Sequence, residues 1–289
     1  MKFSDIHIRD PFILVHGGKY YLYGTFGPDA WYDNKSHFDV YVSDDLENWS
    51  EPVCCFAPDD SFWGTKHFWA PEVHEWKGSF YLFASFNSET HCRGTAILRA
   101  DTPMGPFVPH SEGAVTPADW VCLDGTLYRD RQGNPHMVFC HEWVQVGNGE
   151  MCSIPLTDDL KQAKGEPRVL FRAGDLDWVR PIGKTSFGAD GLVTDGPFLW
   201  RTADGTLLCL WASFSDEGYT EAVAVSDNGE IDGTFRHMEP LFRKNGGHGM
   251  VFRALDGQLY LILHSPNETP LERPVLRKLI EKADGLELA

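Results

Sequence analysis

The chain has 289 residues, enough to bury a large core. Its 42 acidic residues outnumber its 25 basic residues, which gives a formal net charge of −17. This charge, together with the lack of any basic cluster in the sequence, argues against a nucleic acid or an anionic membrane as a partner, because both are bound through clustered lysine and arginine.

Features of targeting are also missing from the sequence. The N-terminal residues do not form a charged segment followed by an apolar one, as a secretory signal would, and no apolar run approaches the roughly 20 residues that a membrane span needs. The seven cysteines include no C-x-x-C pair, and the adjacent Cys54 and Cys55 would make a poor disulfide framework. The sequence therefore predicts reduced thiols and a cytoplasmic protein.

The first predicted element is a β-hairpin. The stretch RDPFILVHGGKYYLYGT, which begins at Arg9, has a charged pair, an apolar run, a Gly-Gly turn and a run rich in tyrosine. Apolar and aromatic runs on either side of a two-glycine turn are typical of two antiparallel strands. More polar strand-like segments follow, such as FDVYVSDDLENWSEPV from Phe38.

The same pattern recurs four more times along the chain. The copies are APEVHEWKGSFYLFAS from Ala70, LDGTLYRDRQGNPHMVFCH from Leu123, TDGPFLWRTADGTLLCLWAS from Thr194 and GHGMVFRALDGQLYLILHS from Gly247. A period of roughly fifty to seventy residues with about four strands per copy is typical of a propeller. We therefore predict an all-β fold, in which residues 1–289 form a single five-bladed β-propeller domain, and a β-sandwich is the alternative.

The openings of the five copies carry ionisable side chains, namely those of Asp10, Glu72, Asp124, Asp195 and His248. Because the first strand of every propeller blade lines the central channel, we expect these side chains to form a ring at one end of it. Burying several carboxylates together is costly, since each loses its water and repels the others. The ring therefore indicates general acid–base catalysis on a neutral polar substrate.

These motifs resemble those of glycoside hydrolase family 43 and the related five-bladed β-propeller glycosidases, over nearly the whole chain. The RDP sequence at Arg9 resembles the family's catalytic-base motif, and WAPEV from Trp69 resembles its second-blade motif. The third-blade motif is similar to LDGTLYRDRQGNPHMVF from Leu123, and the last-blade histidine motif to GGHGM around His248.

The resemblance implies a role for each matched residue. Asp10 would be the general base, and Asp124 would tune pKa values and orient the general acid. His248 would face the central channel and help to bind a metal ion or water there. A calcium ion would suit a channel rich in carboxylates.

The family's general acid is a glutamate followed by Gly-Pro, whereas this chain has Asp195 in TDGPF. One methylene fewer withdraws the carboxyl by about 1.5 Å. Either the substrate lies deeper, or another residue is the acid. Glu142, in CHEWVQ after the second strand of the third copy, is the leading alternative, and Asp190 is a weaker one.

Six residues are predicted to bind the substrate: Arg9, Trp31, Glu72, Trp69, Trp143 and Phe187. Indole rings in connections rich in Gly, Pro and Asp can stack on a sugar, although the aromatic residues could also belong to the core. Strand alternation points neighbouring side chains to opposite faces, so Arg9 is not expected to hold the adjacent Asp10 ionised.

The predicted function is hydrolysis of oligosaccharides that contain arabinose, xylose or galactose, by single displacement with inversion. Two alternatives use the same scaffold. One is a different enzyme, such as a glycoside phosphorylase or a fructan-acting enzyme, and a phosphorylase would show several cationic side chains at the site. The other is a sugar-binding propeller without activity, suggested by the missing glutamate.

Overall fold

The computed structural model of the protein describes residues 1–26, 31, 36–283 and 285–289. Within these residues, twenty strands form five antiparallel sheets, each built from four consecutive strands. The first sheet comprises β1 (Ile8–His16), β2 (Lys19–Phe26), β3 (Phe38–Ser43) and β4 (Val53–Phe56), and the second comprises β5 (Lys66–Trp76), β6 (Ser79–Asn87), β7 (Gly94–Ala100) and β8 (Val108–Ala114). The third comprises β9 (Cys122–Arg129), β10 (Pro135–His141), β11 (Glu150–Pro155) and β12 (Arg168–Arg172), and the fourth comprises β13 (Asp195–Arg201), β14 (Leu207–Ser215), β15 (Gly218–Ser226) and β16 (Phe235–His237). The fifth comprises β17 (Gly247–Arg253), β18 (Leu259–Ser265), β19 (Arg273–Lys282) and β20 (Gly285–Leu288).

The five sheets are the blades of a five-bladed β-propeller, as predicted. The first strand of each sheet contacts the first strand of the next, in the closed order β1, β5, β9, β13, β17 and back to β1. These innermost strands therefore surround the central channel. That residues 1–289 form one domain stays a prediction.

The position of a strand within its blade explains its composition. The second strands β6 and β14 are buried over most of their length on both faces, because each blade packs against two neighbouring blades. They consequently read as continuous apolar runs instead of alternating ones. The outermost strand β8 is largely exposed and correspondingly more polar.

Each innermost strand contains a residue with a left-handed backbone near the cavity end of the channel. One such residue in each blade, here called the left-handed position of that blade, is Asp10 (φ 51°), Ala70 (47°), Asp124 (58°), Gly196 (52°) or His248 (55°), and β5 has a second left-handed residue at His67 (56°). The register of strand pairing shifts around four of the left-handed positions. In the third blade, the register shift lies in the neighbouring strand β10. A β-bulge of this kind bends a strand and redirects its side chains.

Two residues of the predicted ring, Glu72 and Asp195, do not occupy left-handed positions. Glu72 lies two residues beyond Ala70, the left-handed position of its blade, because β5 contains two register shifts. Its carboxylate is buried and lies 3.0 Å from Nε2 of His74. Asp195 immediately precedes the left-handed Gly196.

Polar side chains of the preceding blade hold the first four left-handed positions. The backbone amides donate hydrogen bonds from Asp10 to His264 Nδ1 (3.1 Å), from Ala70 to Thr25 Oγ1 (2.7 Å), from Asp124 to Ser85 Oγ (2.8 Å) and from Gly196 to Asp124 Oδ2 (3.1 Å). Such bonds satisfy amides that a bulge removes from the strand ladder, and they link neighbouring blades.

Few helices interrupt the sheets in the described chain. The one α-helix there, α1 (Trp143–Val146), is four residues long and follows β10, and short 3₁₀ turns occur at Phe3–Asp5 and Ala173–Asp175. No helix among the described residues has the length and apolar character to cross a membrane. All seven cysteines are described, and none forms a disulfide.

Candidate active site

A cavity of about 690 Å³ opens at the end of the channel where the innermost strands begin. Nine of the predicted site residues line it: Arg9, Asp10, Trp31, Trp69, Asp124, Glu142, Trp143, Asp195 and His248. Glu72 and Phe187 do not line it, and Asp190 forms an ion pair with Lys184 elsewhere (2.5 Å).

Residues at two consecutive positions of the innermost strands contribute side chains to this cavity. From the left-handed positions come the side chains of Asp10, Asp124 and His248. From the residue before each left-handed position, here called the preceding positions, come Arg9, Trp69, Leu123 and Asp195. The bulge therefore lets two successive residues face one cavity, where regular strand alternation would separate them.

Arg9 shows this effect directly, and the expectation that it points away from Asp10 is wrong. Its Nε lies 3.5 Å from Asp10 Oδ1, and its Nη1 lies 3.1 Å from Glu272. The left-handed backbone at Asp10 breaks the alternation and brings the two side chains together.

Asp10 is surrounded by groups that favour its ionised form. Its Oδ2 accepts a hydrogen bond from Thr25 (2.6 Å), and its Oδ1 lies 3.2 Å from Nδ1 of His248. Burial alone would raise the pKa of Asp10, but the positive charges of His248 and Arg9 outweigh burial and hold this pKa well below its usual range. Asp10 is therefore a carboxylate that can accept a proton.

His248 provides the positive charge between two carboxylates. Its Nδ1 lies 3.2 Å from Asp10 and 3.7 Å from Asp124. Burial would lower the pKa of His248, but these two carboxylates raise it to about 10. The imidazole is thus protonated at neutral pH. Gly196 must be a glycine beside it, since a Cβ there would lie 2.7 Å from the His248 ring.

The predicted calcium ion would lie beside His248. The Nδ1 atom of this residue already forms ion pairs with Asp10 and Asp124. Among the described residues, no group of three or more His, Cys, Asp or Glu side chains is arranged to hold a metal ion. The described residues therefore present no ready-made cluster of direct protein ligands to a cation, and the channel calcium ion stays a prediction.

Asp124 interacts electrostatically with both of the other aspartates. Its Oδ2 accepts a hydrogen bond from the amide of Gly196 (3.1 Å). Burial raises the pKa of Asp124, and the charge of Asp10 acts in the same direction against that of His248. The charge of Asp10 therefore acts on Asp124, and the charge of Asp124 acts in turn on Asp195.

Asp195 has surroundings opposite to those of Asp10. Its Oδ2 accepts a hydrogen bond from the neutral hydroxyl of Tyr219 (3.0 Å). Burial raises the pKa of Asp195, and the nearby Asp124 carboxylate raises it further, against the charge of His248. Asp195 is therefore the aspartate of this cavity best suited to hold a proton until a substrate needs it.

Glu142, the alternative acid, is in a direct ion pair with Arg93. Burial raises the pKa of Glu142, while the charge of Arg93 acts in the opposite direction. Glu142 would have to break this ion pair before it could pass a proton to a substrate, whereas Asp195 accepts its hydrogen bond from the neutral hydroxyl of Tyr219.

The predicted aromatic contacts differ in how far they face the cavity. Trp31 is 56% exposed, and its Nε1 donates to Thr269 (2.8 Å). The Trp69 ring lies 5.4 Å from that of Trp31, and the Arg93 guanidinium and the His67 ring both lie 4.4 Å from it. Trp69 is consequently packed against a cation and an imidazole. Trp31, whose ring lies 4.6 Å from the Arg9 guanidinium, is the more exposed of these two rings.

Sequence reasoning missed four residues at this site: Thr25, His67, Arg93 and Tyr219. Thr25 and Tyr219 lie on later strands of their blades, Arg93 lies in the loop before β7, and His67 lies on the innermost strand β5 ahead of the repeat's opening at Ala70. Thr25 ends the second strand of the first copy, where a polar residue after an apolar run is the one signal that could have drawn attention to it.

A sequence model of the family described as glycosyl hydrolases family 43 matches residues 4–286. The match spans all five blades and the cavity between them.

Individual proteins and structures are also similar to the chain. The solved structure of endo-arabinase from Bacteroides thetaiotaomicron VPI-5482 superimposes with a TM-score of 0.91 and 41% identity, covering 99% of this chain and 98% of that one. The extracellular exo-alpha-(1->5)-L-arabinofuranosidase ArbA of Cellvibrio japonicus is 24% identical over 91% of this chain and 80% of its own length. The extracellular endo-alpha-(1->5)-L-arabinanase 1 of Bacillus subtilis is 25% identical over 71% of both chains.

Proposed function

The chain belongs to glycosyl hydrolases family 43, and from this premise we propose that it hydrolyses α-(1→5)-linked L-arabinofuranosyl oligosaccharides with inversion of configuration. It is a glycosidase that acts on oligosaccharides. The observation that carries the assignment of roles is the contrast at one cavity between Asp10, which is held ionised, and Asp195, whose pKa is raised.

In the proposed mechanism the two aspartates act on opposite sides of the scissile bond. Asp10 takes a proton from a water molecule while the water oxygen forms a bond to the anomeric carbon. The bond from that carbon to the leaving oxygen breaks, and Asp195 transfers its proton to this oxygen. An inverting enzyme keeps its two carboxyls roughly 6.5–9.5 Å apart to leave room for the water.

The remaining charged groups prepare these two residues. His248 and Arg9 stabilise the carboxylate of Asp10 before the reaction. Asp124 acts on Asp195 by like-charge repulsion, which favours the protonated acid. We assign Asp124 to this tuning role and not to proton transfer.

Arabinose is proposed because the three relatives named above are described as arabinan- or arabinofuranoside-acting enzymes. Xylosides and galactosides are the competing substrates, since a Humicola insolens relative is named xylosidase/arabinosidase 43A and an Aspergillus niger relative is named beta-D-galactofuranosidase.

The test is an assay of the purified protein with α-(1→5)-arabino-oligosaccharides and with aryl glycosides of arabinofuranose, xylose and galactofuranose. The expected result is release of arabinose or short arabino-oligosaccharides, with the inverted anomer appearing first in the NMR spectrum. Preference for a xyloside or galactoside would correct the sugar, and a retained anomer would contradict the mechanism.

The same assay, run with and without phosphate, addresses the phosphorylase alternative. The cavity contains Arg9 and Arg93, but Arg9 is paired with Asp10 and Glu272, and Arg93 with Glu142. These pairs favour hydrolysis over phosphate binding. Sugar phosphate formation that depends on phosphate would overturn this choice, and binding without turnover would support an inactive sugar-binding propeller.

We also propose a cytoplasmic location, which the free thiols support: five of the seven cysteines are buried, and Cys54 and Cys92 are exposed without a disulfide. The Cellvibrio and Bacillus relatives are named extracellular. Fractionation of the native host with an antibody to the protein tests this proposal, and recovery outside the cell would contradict it.

A further inference from the structure

Tyr219 is a buried tyrosine whose hydroxyl reaches the proposed acid. It is 1% exposed, and its hydroxyl donates to Asp195 Oδ2 over 3.0 Å. Tyr219 does not itself line the cavity, whereas Asp195 does. The phenol therefore contacts the acid from within the protein, on the side away from the substrate.

The fold holds the Tyr219 ring on several sides. The ring lies 5.5 Å from that of His264 with an interplanar angle of 21°, and 5.0 Å from that of Phe214. It also fills the space at Gly247, the preceding position of the fifth blade, where a Cβ would lie 2.8 Å from Tyr219 Cε1. The missing side chain at this position is what gives the phenol access to Asp195.

The backbone of Tyr219 is anchored as well. Its amide donates to Asn245 Oδ1 (3.3 Å), and its carbonyl accepts from the amide of Gly246 (2.8 Å). A hydroxyl on a ring fixed at both ends has little freedom to follow a moving carboxylate. It defines where Asp195 Oδ2 must lie.

We infer that Tyr219 is a positioning residue for the general acid: its hydroxyl fixes Asp195 Oδ2, so that the other oxygen, Oδ1, carries the proton into the cavity. The inference rests on the proposed function, in which Asp195 is the acid. A short aspartate arm tolerates less misorientation than a glutamate, so a fixed partner matters more here.

The hydrogen bond also affects protonation of Asp195. It stabilises the carboxylate and so lowers the pKa of Asp195, against burial and the charge of Asp124, which raise it. The charged and titratable groups that face Asp195 are Arg9 on β1, Asp124 on β9, Cys140 on β10, Glu142 after β10, Tyr219 on β15 and His248 on β17. Removing the hydroxyl alone leaves all the others in place.

The experiment compares Tyr219→Phe with the wild type on two substrates. On an arabino-oligosaccharide, whose leaving group needs protonation, kcat/KM should fall roughly ten-fold, in line with loss of a hydrogen bond to a charged group. On an activated aryl arabinofuranoside the fall should be much smaller. The alkaline limb of kcat/KM against pH should move to higher pH, because Asp195 then holds its proton more strongly.

The matched control is Tyr23→Phe. Tyr23 is equally buried, and its hydroxyl donates to the carbonyl of Pro103 over 2.6 Å, away from the cavity. This variant loses a buried tyrosine hydroxyl in the same way, so it should keep the wild-type activity on both substrates and the wild-type pH profile.

A second variant covers the case in which Tyr219→Phe does not fold. Site-specific 3-fluorotyrosine at position 219 keeps the ring and the hydroxyl but makes the phenol a stronger donor. The alkaline limb should then move to lower pH. Equal losses on both substrates, or an alkaline limb that neither variant moves, would overturn the inference. If the wild type hydrolyses no glycoside, it is the proposed function that fails.

Discussion

The first and fourth blades present the same side chain to the cavity in opposite surroundings. Asp10 occupies a left-handed position and has His248 and Arg9 within 3.5 Å of its Oδ1. Asp195 occupies a preceding position and has a neutral phenol as its hydrogen-bond partner, and the charge that acts most strongly on it is that of the Asp124 carboxylate. The groups around each aspartate, and not the residue type, therefore determine which one is the base and which one is the acid.

The backbone creates this difference. Because each innermost strand has a bulge at the cavity, two consecutive residues face the same space. The first blade uses its two positions for a cation and a carboxylate, Arg9 and Asp10. The fourth uses them for a carboxylate and a glycine, Asp195 and Gly196, so the fourth blade does not itself place a cation beside the acid.

The first and largest predicted effect comes from the base. Asp10→Asn keeps the shape of the side chain but cannot accept a proton from water, so kcat/KM should fall roughly 10³–10⁴-fold, toward the upper end expected for general base catalysis. Asp256→Asn is the control, because Asp256 lies in an exposed turn, where it accepts a hydrogen bond from the amide of Gln258 (2.9 Å). Substantial residual hydrolysis by Asp10→Asn that still yields the inverted product would rule out Asp10 as the base.

A second prediction removes the acid. In Asp195→Ala, kcat/KM on an arabino-oligosaccharide should fall roughly 10²-fold or more, and much less on an activated aryl arabinofuranoside, because a good leaving group needs little protonation. Glu142→Ala should lose activity to a similar degree on both substrates, since it leaves Arg93 without its partner. If the dependence on the leaving group appears in Glu142→Ala instead, Glu142 is the acid.

A third prediction removes the imidazolium that distinguishes the surroundings of Asp10 from those of Asp195. The pKa of His248 is raised to about 10 from an ordinary value of 6.5, so its ion pairs stabilise the fold fully below pH 6.5 and lose this contribution as the pH rises toward 10. The free energy of unfolding of the wild type should therefore decrease over this window. In His248→Gln the decrease should be much smaller.

The control for this measurement is His16→Gln, which alters an exposed pair with Glu75. It should keep the wild-type dependence of stability on pH, measured by denaturant unfolding at several pH values. A wild-type slope in His248→Gln would show that the imidazole is not charged between the two carboxylates.

The smallest predicted effect lies away from both aspartates. Trp143 lines the cavity, whereas Phe187 is 59% exposed and does not. Trp143→Ala should raise KM for arabino-oligosaccharides roughly ten-fold, as expected for loss of one aromatic contact, and Phe187→Ala should change it less than about two-fold. The reverse order would place the substrate over the loop that contains Phe187.

Much of the fold could be predicted from the sequence because the repeat consists of local patterns. Each hairpin has its turn glycines and its apolar runs, and the interval between copies matches one blade. The openings also indicated Asp10, Asp124, Asp195 and His248, which the structure brings to one cavity. These residues lie next to the patterns that define the blades.

The rest depends on features that no local pattern reports. A bulge depends on how two strands pair, which the sequence of one strand does not show. The sequence pattern therefore wrongly predicts that Glu72 faces the cavity and that Arg9 points away from Asp10. Tyr219 lies 24 residues beyond Asp195 at the start of a third strand, and its role becomes visible when the absence of a side chain at Gly247 is known in space.

The pH profile of Asp195→Ala is the most direct test of the contrast between the two aspartates. It is measured on an aryl α-L-arabinofuranoside of intermediate leaving ability, which still depends on protonation in the wild type but lets the variant turn over at a measurable rate. In the wild type, kcat/KM should fall on the alkaline side as Asp195 loses its proton, while Asp10 stays ionised across the neutral range. This alkaline fall should disappear in Asp195→Ala. An unchanged alkaline fall in the variant would mean that another group supplies the proton, and would contradict the assignment of Asp195 as the acid.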